Sequence, residues 1–233
     1  MTAAAVKREI DALADPAQAA GLQRFFKTGP GEYGEGDIFV GVKVPPLRKI
    51  ARERRELPLD QIDELLQSEV HEHRSTALII LTEQAARADI GTRRRIYDFY
   101  LARTDRINNW DLVDISCREV VGGYLLANGS WTPLVELAES PLLWERRIAI
   151  VSTWTFIREG DLTPTLTIAE MLLGDTHDLM HKAVGWMLRE AGKKDEAALE
   201  EFLTAHAREM PRTALRYSIE RMTPERRAYW RAY

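Results

Sequence analysis

Residues 179–192, LMHKAVGWMLREAG, are typical of the stretches that decide the fold of this chain. The segment begins with polar and basic residues, continues with apolar residues at helical spacing and ends in glycine. Its predicted core face consists of Met180, Ala183, Val184, Met187, Leu188 and Ala191. Trp186 falls on the opposite face, with Lys182 and Arg189 one turn away on either side. The segment therefore predicts an amphipathic helix whose outer face is aromatic and basic.

Similar segments recur along the chain. They are HEHRSTALIILTEQA from His71, NNWDLVDISCREVVGGYLL from Asn108, LLWERRIAIVSTWTFI from Leu142 and MPRTALRYSIERM from Met210. With Arg74, Asp111, Arg147 and Lys182 as reference points, successive segments lie 37, 36 and 35 residues apart. Second helical patterns lie between them, at residues 93–101, 133–138, 163–173 and 195–207. Two helices per step of about 35 to 45 residues predict an all-α, HEAT-like helical-repeat solenoid.

The first 46 residues differ from the repeats. Residues 3–27 predict two short helices, broken near Asp15 and Pro16. Residues 28–46, TGPGEYGEGDIFVGVKVPP, contain five glycines and three prolines and predict a loop with a short extended piece over 38–44. Helical repeats are expected over 47–233. We interpret residues 1–233 as a single HEAT-like repeat domain.

Composition excludes several classes of protein. With 233 residues, of which 45% are hydrophobic, the chain suits one folded domain or at most two and does not suit a disordered chain. The N-terminus has no signal-peptide core, and no apolar stretch of roughly 18 residues predicts a membrane span. The single cysteine, Cys117, excludes a disulfide framework and a Cys-based zinc site, and it fits a cytoplasmic location.

The charge is unevenly distributed. A net charge of −4 by itself disfavours a nucleic-acid partner. Residues 208–233, however, contain seven arginines and three glutamates. A polyanionic partner therefore stays open.

The segment from Asn108 carries a carboxylate beside a tryptophan. Its predicted core face consists of Val113, Cys117, Val120, Val121 and Tyr124. Asn109 can cap the helix, and Asp111 lies in the first turn, where an acid is favoured. Trp110 and Asp114 are four residues apart and therefore share a face next to the core face. The alternative is a packing tryptophan and a solvated acid.

Cations lie near the start of the segment from Leu142. Arg146 and Arg147 interact unfavourably there with the positive end of the helix dipole. An anion bound by Arg147 and the free backbone N–H groups would make this arrangement favourable. Trp154, seven residues after Arg147, is predicted on the same side of this helix. The alternative for Arg147 is a salt bridge to Glu145 or Asp114. The alternative for Trp186 is packing under an adjacent helix, with an arginine stacked on the indole. Matching positions of successive repeats line one concave surface, which here indicates a groove for a nucleic-acid backbone.

Four segments together resemble the AlkD family of DNA alkylation repair glycosylases. They are FVGVKVPPLRKIA from Phe39, NNWDLVDISCREVVGGYLL from Asn108, WERRIAIVSTWTFIREGD from Trp144 and HKAVGWMLREAGKKD from His181. The resemblance runs in order from about residue 22 to residue 222. It implies a stack of HEAT-like repeats with a concave DNA-binding groove that grips duplex DNA. It also implies hydrolysis of the N-glycosidic bond of cationic N3- and N7-alkylpurines, such as 3-methyladenine and 7-methylguanine, without extrusion of the base into a tight pocket.

The family's functional residues are carried over onto four positions. The resemblance implies that Trp110 is the active-site tryptophan and Asp114 the carboxylate. Arg147 corresponds to the arginine that approaches the DNA backbone, and Trp186 to the second tryptophan, which lies against the deoxyribose of the lesion. The further cations expected to contact DNA are Lys182, Arg189, Arg146, Arg158 and Arg216. The net acidic charge is a departure from what a DNA-binding relative would show.

The expected activity is a monofunctional DNA glycosylase of base-excision repair, because no lysine adjoins Asp114 to form a Schiff base. We expect a monomer that needs no cofactor and no metal. Two alternatives stay open: a non-catalytic HEAT-repeat protein that binds DNA structures, and a scaffold for protein partners. A metal hydrolase is disfavoured, because His71 and His73, beside Glu69 and Glu72, are two residues apart, and side chains so spaced on a helix point away from each other. We interpret them as part of a solvated turn.

Overall fold

The computed structural model of the protein describes residues 1–233 and confirms the all-α, helical-repeat prediction. Its one β feature is an isolated bridge between Ile38, in the piece that was predicted to be extended, and Val70. None of the helices combines the length and the apolar composition that crossing a bilayer requires. The chain forms two compact units, Met1–Ser116 and Cys117–Tyr233. The expectation of one domain over 1–233 stays a prediction.

The first unit contains seven helices and a 3₁₀ turn at Thr104–Arg106. The helices are α1 (Ala3–Asp11), α2 (Pro16–Phe25), α3 (Val44–Glu53), α4 (Leu59–Leu66), α5 (His71–Ala85), α6 (Ile90–Leu101) and α7 (Trp110–Cys117), whose last residue belongs to the second unit. The predicted break at Asp15 and Pro16 is confirmed, because Asp15 caps α2 by accepting the N–H groups of Ala17 and Gln18. The loop ends earlier than predicted, since α3 already begins at Val44. Pro45 and Pro46 fit its first turn, where no N–H donor is needed.

Helix α5 is the centre of the first unit. It contacts α1, α3, α4 and α6, and every residue from His71 to Leu81 is buried. The apolar run Ala77–Leu81 supplies core on all sides of the helix. The first six residues, His71 to Thr76, are polar, so their burial requires hydrogen-bonded or charged partners.

The second unit begins with a π-helical turn at Arg118–Gly122. Its helices are α8 (Gly123–Asn128), α9 (Pro133–Ala138), α10 (Leu143–Ser152), α11 (Trp154–Glu159), α12 (Thr163–Met171), α13 (Asp178–Lys194), α14 (Glu196–His206), α15 (Arg212–Ser218) and α16 (Pro224–Arg231). Helix α13 is central here and contacts α10, α11, α12, α14 and α15.

The predicted core faces are confirmed, since all their residues in α7, the π-helical turn, α8 and α13 are buried. Trp186 is only half-buried, as expected for the outer face. The four second helices are found within three residues of the predicted bounds, as α6, α9, α12 and α14. One prediction is wrong: the segment from Leu142 is not a single helix. Helix α10 ends at Ser152, and a separate helix, α11, begins at Trp154.

Candidate active site and nucleic-acid interface

A buried ion-pair network joins the loop after α2 to the starts of α5 and α7. His71 Nδ1 lies 2.9 Å from Asp37 Oδ2, and His71 Nε2 lies 2.8 Å from Asp111 Oδ2. Arg74 donates a hydrogen bond to the other oxygen of Asp37. Asn109 Nδ2 donates to Asp37 Oδ2 at 3.3 Å. The loop and two helices are therefore held together by charged side chains, of which those of Asp37, His71 and Arg74 are almost inaccessible to solvent.

The network determines the charge of its members. Burial by itself would lower the pKa of His71, but the charges of Asp111 and Asp37 and their hydrogen bonds outweigh it and raise the pKa to about 9. Burial would raise the pKa of Asp37, but the hydrogen bond from His71 and the charge of Arg74 prevail and lower it. His71 is therefore an imidazolium at neutral pH, enclosed by two carboxylates.

The interpretation of His71 and His73 as part of a solvated turn is wrong. Both are buried, with exposed fractions of 2% and 4%. His73 Nδ1 lies 2.8 Å from Ser68 Oγ, and His73 Nε2 lies 3.0 Å from Asp11 Oδ1. The two side chains do point apart, as side chains two residues apart on a helix must. Helix α5 is covered on several sides, however, so each imidazole is buried against different partners. No group of three or more His, Cys, Asp or Glu side chains is arranged to hold a metal ion.

The network fixes the start of α7. Asn109 is fully buried, and its side-chain oxygen accepts the N–H of Trp110 at 2.8 Å, so the predicted cap acts on the first residue of the helix. Asp111, in the first turn, is anchored by His71. Since both anchors adjoin Trp110, they determine how the helix that carries Trp110 and Asp114 is oriented within the first unit.

Trp110 is part of an aromatic cluster that also contains Phe25, Phe26, Tyr33 and Phe39. Its indole stacks on Phe26 with ring centroids 5.3 Å apart, and the ring of Phe25 is roughly perpendicular to the indole, with centroids 5.9 Å apart. Trp110 Nε1 donates to Tyr33 Oη at 3.3 Å. Phe26 stacks on Phe39, which in turn stacks on the imidazole of His71. The indole is thus oriented by neighbours on several sides, while Trp110 stays half-buried and Phe25 is 62% exposed.

The sequence predicted Trp110 and Asp114 as site residues but did not predict the aromatic partners of Trp110. The sequence did contain a signal for these partners, because aromatic residues lie within and beside the glycine-rich loop. An aromatic side chain in a loop gains little unless it packs against a partner from elsewhere in the chain. Asp114, one turn after Trp110 on α7, is half-buried. The first unit therefore presents a carboxylate and an oriented indole on the same helix face.

In the second unit, an arginine lies over Trp186, as the alternative for this residue anticipated. Arg118, which the sequence analysis did not consider, has its guanidinium carbon 6.0 Å from the centroid of Trp186 and 4.7 Å from that of Trp154. Arg158 lies 5.2 Å from the centroid of Trp154. These residues form a cluster of alternating cations and indoles.

Arg147 does not face outward, so that expectation is wrong. It is 4% exposed, and its Nη1 donates to the carbonyl oxygen of Leu179 at 2.8 Å. The reason is that α10 packs against α13, so the second turn of α10 faces the start of α13 instead of solvent.

Three of the other predicted DNA-contacting cations have acidic partners. Arg146 Nε lies 2.7 Å from Asp175 Oδ2, and Lys182 Nζ lies 2.6 Å from Asp178 Oδ2. Arg189 pairs with Glu190 and Glu220. Arg158 and Arg216 are exposed. Only the pair Asp178 and Lys182, four residues apart on α13, could have been found from spacing alone.

Comparison with known proteins agrees with the fold and with part of the resemblance. The family model of the DNA alkylation repair enzyme family matches residues 6–222. One similar solved structure is described as a predicted DNA alkylation repair enzyme from Enterococcus faecalis. It is 17% identical, with a TM-score of 0.71 over 91% of this chain and 97% of that chain, which supports the fold. No curated protein matches the chain. Because the family model covers nearly the whole sequence, the chain belongs to the DNA alkylation repair enzyme family.

Proposed function

We propose that the protein is an AlkD-like monofunctional DNA glycosylase that hydrolyses the N-glycosidic bond of cationic N3- and N7-alkylpurines in duplex DNA. The observation that carries the proposal is the pair Trp110 and Asp114, one turn apart on α7, on a helix whose start is fixed by the His71 network. DNA alkylation repair is the role of the family.

The reaction does not require a strong general acid. Alkylation at N3 or N7 gives the purine a positive charge, so the base is already a good leaving group. As the bond to C1′ breaks, positive charge moves onto the deoxyribose. A fixed carboxylate stabilises that charge more than it stabilises the ground state, which lowers the barrier. Asp114 would supply this carboxylate and would orient or deprotonate the attacking water.

Trp110 would place an electron-rich ring face beside the same sugar. Its stacking on Phe26 and its hydrogen bond to Tyr33 support this role, because an oriented ring loses little conformational freedom when the substrate binds. Trp186 is proposed, from the resemblance, as the second indole that contacts the deoxyribose of the lesion. The positive charge of Arg118 near this ring opposes the attraction of the ring to a cationic sugar. We therefore expect Trp186 to contribute more by orienting the sugar and by contact area than by a cation–π interaction.

We further propose that the protein is a monomer and binds duplex DNA, with basic residues in contact with the phosphates. Arg147 is buried, so we assign to it the task of holding α10 to the start of α13. The contacts with phosphates then belong to cations at the surface, such as Arg158 and Arg216.

The test is release of 7-methylguanine and 3-methyladenine from alkylated duplex DNA. Wild type should release both bases, and Asp114→Asn should be slower by a factor on the order of 10²–10³. Asp105→Asn, at an exposed aspartate of the same unit, is the matched control and should leave release unchanged. Binding of the duplex without release by wild type would instead support a non-catalytic protein that recognises DNA structure.

The acidic partners of Arg146, Lys182 and Arg189 favour a second candidate, a scaffold for protein partners, because they offset charge that would otherwise attract DNA. The two candidates differ in their response to salt. A protein that grips phosphates binds duplex DNA with a steep salt dependence. Absence of such binding would favour the scaffold.

A further inference from the structure

Arg118 lies between two tryptophans at the start of the π-helical turn. Its guanidinium carbon is 4.7 Å from the ring centroid of Trp154 and 6.0 Å from that of Trp186. Both distances fall within the range of a cation–π contact. All three side chains are half-buried, so the cluster is accessible from solvent.

The backbone that carries Arg118 is held in place. Thr155 Oγ1 donates to the carbonyl oxygen of Arg118 at 2.7 Å, and Ser152 Oγ donates to that of Cys117 at 3.3 Å. These hydroxyls satisfy carbonyls at the point where the helix changes from α to π. Gly122 lets the turn approach this closely, since a Cβ there would lie 2.4 Å from the carbonyl oxygen of Ser152. Turns of this kind occur frequently at functional sites.

The guanidinium of Arg118 differs in its partners from those of two other arginines of the second unit, Arg146 and Arg189. No carboxylate or carbonyl oxygen accepts a hydrogen bond from it, whereas Arg146 and Arg189 are both ion-paired. Stacking on an indole occupies the face of the guanidinium and leaves the N–H donors in its plane available. Planar donors in a fixed fork match the oxygens of a phosphate.

A second cation strengthens the argument. Arg158 lies 5.2 Å from the centroid of Trp154, so two guanidinium groups share one indole. Both positive charges lie about 5 Å from the ring centroid of Trp154, so an anion beside this indole would be attracted to both groups. Residue Arg158 is exposed, which leaves room for such an anion.

We propose that Arg118 binds a backbone phosphate of duplex DNA, with its guanidinium oriented by Trp154 and Trp186. The proposal deepens the proposed function by naming a phosphate contact, and it rests on that function only in taking DNA as the ligand. It requires no base release, so its test uses undamaged DNA.

The first experiment measures binding of an undamaged fluorescent duplex at several salt concentrations. Arg118→Gln should weaken binding and lower the slope of log affinity against log salt by about 0.9, the value for one phosphate contact. Arg118→Lys should keep the slope, because the charge remains, but should bind more weakly, because a lysine does not stack as a planar fork. Arg94→Gln, at an exposed arginine of α6, is the matched control and should change neither quantity. A wild-type slope and affinity for Arg118→Gln would overturn the proposal.

A second experiment needs no variant and therefore does not depend on how a substitution affects folding. Phenylglyoxal modifies accessible arginines of the wild-type protein, and mass spectrometry locates the products. The duplex should protect Arg118 and leave Arg94 reactive. Equal modification of Arg118 with and without saturating duplex would overturn the proposal even for an active glycosylase. Protection without base release would retain this contact and overturn the proposed catalysis.

Discussion

His71 Nε2 lies 2.8 Å from Asp111 Oδ2, and this ion pair connects the first residue of α5 to the first turn of α7. The other nitrogen of His71 contacts Asp37, so one imidazolium joins a loop and two helices. Besides His71, the charged groups of this network are the side chains of Asp37, Asp111 and Arg74. Because Trp110 and Asp114 lie on α7, the network supports the proposed site without belonging to its reacting atoms.

The ion pairs of His71 predict a pH-dependent stability. The pKa of His71 is raised from 6.5 to about 9 in the folded protein, so its contribution is complete below pH 6.5 and is lost as the pH rises through 9. At 1.36 kcal/mol per pKa unit, the free energy of unfolding should fall by about 3 kcal/mol over this interval. Urea denaturation at pH 6.5, 7.5, 8.5 and 9.5 measures it.

The variant that assigns this pH dependence is His71→Gln, which should be less stable at pH 6.5 and should lose most of the decline. His206→Gln is the control, because its imidazole lies 4.0 Å from Glu170 at the surface. The same decline in wild type and His71→Gln would show that another group is responsible.

Asp111 and Asp114, three residues apart on α7, should respond differently to replacement by asparagine. Asp111→Asn leaves the buried imidazolium with one fewer carboxylate and should lower stability by about 3–5 kcal/mol. Asp114→Asn should lower base release and should lower the free energy of unfolding by less than Asp111→Asn does, because the buried imidazolium pairs with Asp111 and Asp37. Denaturation and glycosylase assays on both variants make the comparison, and a stability loss in Asp114→Asn that matches Asp111→Asn would contradict the division of roles.

Glu72 should be one of the most sensitive carboxylates outside the His71 network. It is buried, and its two oxygens accept the N–H groups of Val40, Gly41 and Val42 at 3.1, 2.8 and 3.1 Å. Glu72→Gln replaces one acceptor oxygen by a donor and should lower the free energy of unfolding by about 3 kcal/mol. Glu83→Gln, which removes a surface pair with Arg87, should cost less than about 1 kcal/mol. Equal costs in urea denaturation would be the contrary result.

Gly185 allows α13 and α15 to approach each other. A Cβ at this position would lie 2.4 Å from the carbonyl oxygen of Ala214 and 2.6 Å from Tyr217 Cβ. Gly185→Ala should therefore force the helices apart and lower stability by about 1–3 kcal/mol. Gly21→Ala, in α2 with nothing within 4 Å, should instead raise stability by about 0.5–1 kcal/mol. A Gly185→Ala protein as stable as Gly21→Ala would contradict the close approach.

The helices and their core faces could be predicted because they depend on local periodicity. The apolar residues between Met180 and Ala191 recur at helical spacing, so the apolar face of α13 and the outward position of Trp186 follow from the sequence alone. The same holds for Trp110 and Asp114, which any α-helix would place on one face. The break at Thr153 was missed, since apolar residues continue across it.

Partners and burial across long distances could not be predicted. Arg147 looked like an outward cation near a helix start, but the packing of α10 on α13 buries it. Asp175 neutralises Arg146 from 29 residues away, and no spacing rule connects the two.

By itself, the sequence determined an all-α chain with a repeat of about 36 residues and a tryptophan–carboxylate pair on one helix face, because helical periodicity is a property of neighbouring residues. Only the tertiary structure decided that His71 is a buried imidazolium between Asp37 and Asp111, and that Arg118 lies between Trp154 and Trp186. The physical reason is that the charge and exposure of a side chain depend on the elements packed around it, and the partners of His71 and Arg118 lie 34 to 68 residues away in the sequence.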